Sequence, residues 1–296
     1  MQTEVTQQGL VISYFGNSVA VEADDGQVFQ CQLHRNQELP VVGDLVSWTL
    51  EKSGTGRIQG ILPRRSLMSR GDGHSKQKPI AANVDHIVIV MAPPPVFSEY
   101  LVDRYLIAAE LLKISPIVVM NKADLLNDSD RKTVDARLNV YADIGYPVVL
   151  SSILLNNGLQ DLTSALKDKT SVLVGPSGVG KSSIIAALCG EDIRIGEVSA
   201  KGTGKHTTTA TRLYHLPNGG QLIDSPGVRE FSLWPVDKQD ILRGFREFKP
   251  FLGECRFRDC QHLVEPGCVV QAALASGKIS PQRFLSYQEL MKTNSK

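Results

Sequence analysis

One nine-residue stretch constrains this chain more than any other. Gly175-Pro176-Ser177-Gly178-Val179-Gly180-Lys181-Ser182-Ser183 fits G-x-x-x-x-G-K-[ST], with Gly175, Gly180, Lys181 and Ser182 in the fixed places. Such a loop works only between a buried parallel strand and a helix that starts where the loop ends. Both are in place: Ser171 to Val174 is a short apolar run, and Ser183 to Leu188 is helix-forming and stops at Gly190. The motif turns backbone N–H groups around a phosphate at a helix N-terminus, brings Lys181 to the β/γ oxygens and offers the Ser182 hydroxyl to Mg²⁺.

The sequence upstream alternates strand and helix. His86 to Met91 reads as a buried strand, Ser98 to Lys113 as a helix capped by Ser98, and Ile117 to Met120 as the next strand. That last strand delivers Asn121-Lys122-Ala123-Asp124 at its C-terminal end, where parallel α/β sheets bind ligands. The Asp124 carboxylate can accept from both N1–H and the exocyclic amino group of guanine, a pair adenine does not offer. Unpaired polar groups would penalise the wrong base. Asn121 can tie this loop to the phosphate cradle, and the Lys122 stem can cover the base face. Ser151 and Ser152, after the strand Pro147 to Leu150, sit where a backbone N–H of a base-lining loop would meet the guanine oxygen.

Downstream, Gly202 to Thr209 is rich in glycine and hydroxyls, and the strand Gln221 to Asp224 runs into Asp224-Ser-Pro-Gly227. D-x-P-G there puts Asp224 near the Mg²⁺ shell and the Gly227 N–H near the γ-phosphate. Together the three motifs read as GTP hydrolysis. Their order is inverted. N-K-x-D precedes the phosphate loop and D-x-P-G comes last, so the domain reads as circularly permuted, which surface termini lying close together make possible. The place after the D-x-P-G glycine, where Ras-like enzymes carry a water-orienting Gln, holds Val228, which has no hydrogen-bonding group. His206 is the nearest candidate for that role.

Before residue 70, five β-rich segments (9–15, 18–22, 27–33, 43–50 and 56–62) are separated by turn residues, which suggests a small barrel of OB type, with an SH3-like barrel as the alternative. Pro63-Arg-Arg-Ser66 and the polar Gly71 to Gln77 read as a linker to the next unit. The formal net charge of +1 hides an asymmetry: residues 57–78 hold six Lys/Arg against Asp72 alone, 81–170 hold eight bases against eleven acids, and 238–296 hold ten against six. Basic flanks point to an anionic macromolecule gripped from two sides.

Five cysteines in 296 residues make no disulfide framework. Cys31 and Cys189 read as core residues. Cys255, Cys260, His262 and Cys268, within fourteen residues, match a closed Cys₃His zinc site that holds structure and leaves no position open for water. Arg256 and Arg258 would be displayed between the ligands. Asp237 to Phe251 has helical spacing with Arg243, Arg246 and Lys249 outward, and Ser280-Pro281 opens a last helix to about Lys292. His34, His74, His86 and His215 belong to no motif. No apolar run approaches a membrane span and the N-terminus lacks a leader pattern, so a cytoplasmic location and no membrane partner are expected.

With NKAD, GPSGVGKSS, GKHTTT, DSPG and the Cys₃His knuckle in this order, the sequence resembles the bacterial ribosome small-subunit-dependent GTPase A family of circularly permuted GTPases over essentially its whole length. The resemblance implies three domains: an all-β OB domain with its basic linker (1–72), a permuted α/β P-loop GTPase domain (73–233) and a helical zinc domain (234–296). It implies GTP turnover stimulated by the small (30S) subunit late in maturation, by an rRNA-binding monomer that uses one structural Zn²⁺, and Mg²⁺ with GTP. Family roles fall on Asn121, Lys122 and Asp124 for the base, 175–183 for phosphates, Thr208 for Mg²⁺ and γ-phosphate, Asp224 to Gly227, and the four zinc ligands. Lys205 stands where the family's switch carries Arg, and an ammonium does not reproduce the planar fork. Two other function classes use parts of the same features: a P-loop small-molecule kinase, which a phosphate-acceptor screen would detect, and a passive RNA-binding module, which would show no multiple turnover with ribosomal subunits.

Overall fold

Alternation along the first strands builds a closed barrel. In the computed structural model, which describes residues 6–33, 38–71, 77–93, 97–190, 211–224 and 237–293, β1 (Gln7–Tyr14) buries Gly9, Val11 and Ser13 on one face. It pairs antiparallel with β2 (Ser18–Ala23), and β2 with β3 (Val28–Gln32). β4 (Leu45–Leu50) and β5 (Gly56–Ile61) form a second hairpin; β4 closes onto β1 and β5 lies parallel to β3. The order 1-2-3-5-4 and back to 1 is that of an OB-type barrel, not an SH3-like one. Trp48 fills its centre with Val11, Val19, Val21, Cys31, Val46 and Ile58, all buried. Truncating an aromatic in such a core costs about 3–5 kcal/mol.

Much of the segment expected as a linker belongs to a further hairpin. β6 (Leu67–Gly71) pairs antiparallel with β7 (Gln77–Ala82), and Met68 and Ala81 are fully buried. The polar residues around 72–76 made the stretch read as a linker, while the apolar residues at its two ends do the packing. The expected boundary at 72/73 lies between these two strands, outside the described residues. Gly43, at φ +91°, lies so close to Ala82 that a Cβ would sit 2.2 Å from its carbonyl oxygen, so the barrel and hairpin meet backbone to backbone. The basic character of 57–78 is also partly spent inside the fold. Arg57 pairs with Glu51 at 2.5 Å, Arg64 with buried Asp44 at 2.7 Å and with Glu38, and Arg65 with Asp85 at 2.6 Å.

Continuous apolar runs form the central sheet. β8 (His86–Met91), β9 (Ser115–Met120), β10 (Val148–Leu150), β11 (Thr170–Val174) and β13 (Gln221–Asp224) are parallel neighbours in the order β10-β9-β8-β11-β13, with β12 (Arg212–His215) antiparallel at the end. Helix α1 (Glu99–Leu112) begins at Ser98, whose hydroxyl accepts from the Leu101 N–H, and ends where Lys113 turns left-handed. Helices α2 (Asp128–Asp143), α3 (Gln160–Ala165) and α4 (Lys181–Cys189) complete the layers. If the chain ran from β13 into β8, the strand sequence would begin at the phosphate loop and finish at β10. The cut between β13 and β8 is the permutation, and it leaves the sheet intact. β12 continues into the barrel through a bridge between Ser13 and Arg212, where Glu22 also reaches His215 at 2.7 Å.

The C-terminal unit docks on α1. Helix α5 (Lys238–Gly244) stops where Gly244 lies flush against Ile107, and a 3₁₀ stretch over Arg246–Phe251 follows, with Pro250 disfavouring a continued helix. Arg246 and Lys249, expected to face outward, both reach Glu110 of α1, at 2.7 and 2.8 Å. Helix α6 (Val269–Ala275) had no marked signal in the sequence, whereas α7 (Pro281–Thr293) matches its proline start. Arg283 on α7 is fully buried, 2.5 Å from Asp103 of α1 and 2.7 Å from Glu247, with its guanidinium 4.5 Å from the Phe245 ring centre. Losing one member of so buried a set costs about 3–5 kcal/mol, because its partners stay desolvated without a counter-charge. No helix among the described residues is long and apolar enough to cross a membrane.

Candidate functional site

Because β8, β9, β10, β11 and β13 are parallel, their C-terminal ends share one edge of the sheet, and every described nucleotide-site candidate lies there. The loop after β11 needs its glycines for distinct reasons. Gly175 has φ +136° and a Cβ there would lie 2.1 Å from the Val90 carbonyl oxygen; Gly178 and Gly180 are left-handed at φ +81° and +98°. Lys181, the first residue of α4, is buried and donates to the carbonyls of Gly175 and Pro176, both at 2.7 Å, which holds its ammonium in the loop's mouth. Ser182 and Ser183 are exposed on the first turn of α4, and Asp224 ends β13. Burial raises the phenol of Tyr105 on α1 above the usual range.

The N-K-A-D loop is fastened to this cradle. Asn121, almost fully buried, donates from Nδ2 to the Val179 carbonyl at 2.8 Å and accepts at Oδ1 from the Ser151 hydroxyl at 3.1 Å. A Cβ on Gly180 would lie 2.5 Å from that same Nδ2, so glycine at 180 is what lets the two loops touch. Lys122, left-handed at φ +58°, donates to the Gly178 carbonyl at 2.7 Å, and the Ser152 hydroxyl donates to the Asp124 carboxylate. One feature was missed by the sequence reading. The Ser151 and Ser152 amides are spent on the carbonyls of Met120 and Gly158, at 2.8 and 3.0 Å. Within the described residues the next amide, Ile153, makes no hydrogen bond. Sequence alone carries no sign of which amide in such a loop is committed. His206, Thr208 and Gly227, with Lys205 and Val228, lie outside the described residues.

At the far end, Cys255, Cys260, His262 and Cys268 converge, their ligating atoms all within 4.8 Å of one another. His262 Nδ1 lies 3.4, 3.5 and 3.3 Å from the sulfurs of Cys255, Cys260 and Cys268, and Cys255 Sγ lies 4.0 Å from Cys268 Sγ. A tetrahedral zinc bonded at about 2.3 Å to sulfur and about 2.0 Å to nitrogen sets edges of about 3.5–3.8 Å. The donors fit that tetrahedron. Burial, with two neighbouring thiols, pushes Cys260 up to about 12 and burial lowers His262, so a divalent cation is what would let three thiolates share this space. Two further contacts brace the ring: Glu265 accepts from the amides of Gln261, Leu263 and Val264, and Tyr287 donates to the Gln261 carbonyl at 2.6 Å.

The RsgA GTPase family model matches residues 61–234. The small ribosomal subunit biogenesis GTPase RsgA of Pseudomonas aeruginosa strain LESB58 is 50% identical over 287 residues, which span 96% of this chain and 85% of that protein. Its counterpart from Dickeya dadantii strain 3937 is 44% identical over 300 residues, spanning 99% and 86%. Among solved structures, YjeQ from Thermotoga maritima superposes with a TM-score of 0.78 at 29% identity, over 98% of this chain and 99% of its own. YloQ, described as a circularly permuted GTPase, gives 0.78 at 28% identity, over 99% and 97%.

Proposed function

The chain belongs to the RsgA GTPase family, and from there we propose that it hydrolyses GTP as an assembly factor in late maturation of the small ribosomal subunit, binding rRNA when GTP-loaded and leaving after hydrolysis. The observation that carries this reading is the Asn121 amide bridging to Val179 at 2.8 Å, which joins a guanine-type loop to a phosphate loop at one sheet edge. A kinase needs only the phosphate loop; this second loop is what a guanine nucleotide uses.

In that reading Asp124 takes the guanine N1–H and amino hydrogens, Ser152 holds its carboxylate, and the Ile153 amide meets the guanine oxygen. Lys122 covers the base. The loop from Gly175 to Ser183 wraps the phosphates, and Lys181 exchanges its two carbonyl partners for phosphate oxygens. Mg²⁺, when bound with GTP, offsets charge on the β- and γ-oxygens; Ser182 and Asp224, both at the described edge, are oxygen donors suited to it, with Thr208 as a further ligand. Gly227 senses the γ-phosphate. Zinc is held by the four donors at 255–268 and supplies structure. The protein acts as a monomer in the cytoplasm, its barrel (1–72) and zinc unit (234–296) holding rRNA on either side of the GTPase domain (73–233).

His206 orients the attacking water in the complex with the small subunit, since catalysis of this type is mostly positioning. Single-turnover GTP hydrolysis with saturating small subunits tests the reading. The parent should be stimulated and should not turn over ATP, while His206→Ala should bind GTP and subunits normally and lose roughly tenfold or more of the stimulated rate. Stimulated turnover within about twofold of the parent would move the water-orienting role to a ribosomal group.

A further inference from the structure

An exposed aromatic ring between two arginines crowns the zinc-ligand loop and belongs to none of the apolar clusters among the described residues. Phe257 lies between Cys255 and Cys260, is 42% exposed, and carries the Arg256 guanidinium 5.5 Å from its ring centre. Val264, across the loop, is 85% exposed. Most other arginines of the described chain are spent on carboxylates, including Arg246 and Arg283 in the same unit. Among the described residues neither Arg256 nor Arg258 has such a partner. The stretch that carries them is tied at both ends, by the Arg256 N–H to the Gly267 carbonyl at 3.5 Å and the Cys260 N–H to the Phe257 carbonyl at 3.4 Å, and zinc on the four converging donors would hold it further, so the ring and the two forks are presented at a reduced ordering cost.

We infer that Phe257 is a stacking platform for an unpaired RNA base, with Arg256 and Arg258 taking the adjoining phosphates. This rests on the rRNA-binding reading above and adds to it a site and a ligand state. An aromatic face with guanidinium forks beside it is the arrangement that receives splayed-out bases, whereas duplex bases are stacked on each other and offer no face. Glu254 and Asp259 flank the arginines, so local charge is balanced. The stacked face therefore adds to what the two phosphate contacts give, and those two contacts set a salt dependence with a log–log slope of about −1.4 for a single strand.

The test uses the full-length, zinc-loaded protein and a labelled, unstructured RNA decamer, alone or annealed to its complement, followed by fluorescence anisotropy. Phe257→Ala should weaken the single strand roughly tenfold, leave the duplex unchanged and retain zinc; Phe257→Trp should bind like the parent. Its indole should be quenched as RNA is added, beyond whatever change the parent's own Trp48 and Trp234 show under the same titration. Unchanged single-strand affinity in Phe257→Ala, or no quenching of Phe257→Trp by RNA that binds, would overturn the inference. So would loss of small-subunit binding in Phe257→Ala with RNA affinity intact, which would make the partner a ribosomal protein. None of these results touches the reading as a subunit-stimulated GTPase, which fails only if the parent itself shows no stimulation.

Discussion

Asp124→Asn is expected to lose GTP affinity by roughly two orders of magnitude or more and to gain xanthosine triphosphate. The reason is local. Asp124 stands just past Lys122, whose left-handed turn starts a 3₁₀ turn over Ala123–Leu125, and its carboxylate is aimed by the Ser152 hydroxyl. A carboxylate there accepts two hydrogens from guanine. An amide can accept one and donates where guanine also donates, leaving polar groups face to face, and sites of this kind discriminate by factors of about 10⁴. Xanthine replaces the amino group by a carbonyl, which an amide can satisfy. Equilibrium binding of fluorescent GTP and xanthosine triphosphate analogues measures both sides. A variant that binds GTP like the parent and ignores xanthosine nucleotide would show that Asp124 does not read the base.

Much of that site was legible because motif residues carry their context with them. The glycines of the motif read as what lets the loop turn its N–H groups around a phosphate, and at 175 and 180 a Cβ would indeed strike Val90 or Asn121. Asn121 was expected to tie the two loops together, and it does so through Val179. What the sequence hid is what depends on partners distant in the chain. Arg64 and Arg65 read as a basic surface, and only the fold shows Asp44 and Asp85 taking them up. Arg246 and Lys249 occupy the polar face of a helical pattern, but Gly244 meeting Ile107 breaks that helix and turns both onto Glu110. Pro63 to Ser66 and Gly71 to Gln77 read as a linker because their polar residues outweigh the short apolar ends of β6 and β7 in any window long enough to average over. The choice of the Ile153 amide over its neighbours follows from carbonyls on other segments, which no local pattern encodes.

The second large effect is at the metal. Cys260→Ser is expected to lower zinc from one ion per chain to near none and to open the segment around 255–268 to protease, while GTP binding survives. Binding of structural zinc is worth about 10–16 kcal/mol in finger peptides, so a three-ligand remnant loses most of the local folding free energy. The damage is confined because the unit's other anchors do not pass through the metal. Arg283 remains on Asp103 and Glu247, and the stacked Phe245 and Phe248, with Tyr287 edge-on to both, remain packed with Ile107 of α1. Metal analysis with limited proteolysis mapped by mass spectrometry reads both effects. A metal-free parent with unchanged protease resistance in that segment would show that the cluster is not a structural zinc site.

The account stands or falls on what switches the hydrolysis on. The measurement is steady-state phosphate release from GTP by the full chain, alone and with purified 30S, 50S or 70S particles added separately. The predicted result is slow turnover alone, stimulation of roughly tenfold or more by 30S particles, and little response to 50S. Equal stimulation by all three particles, or none by 30S at saturation, would contradict it.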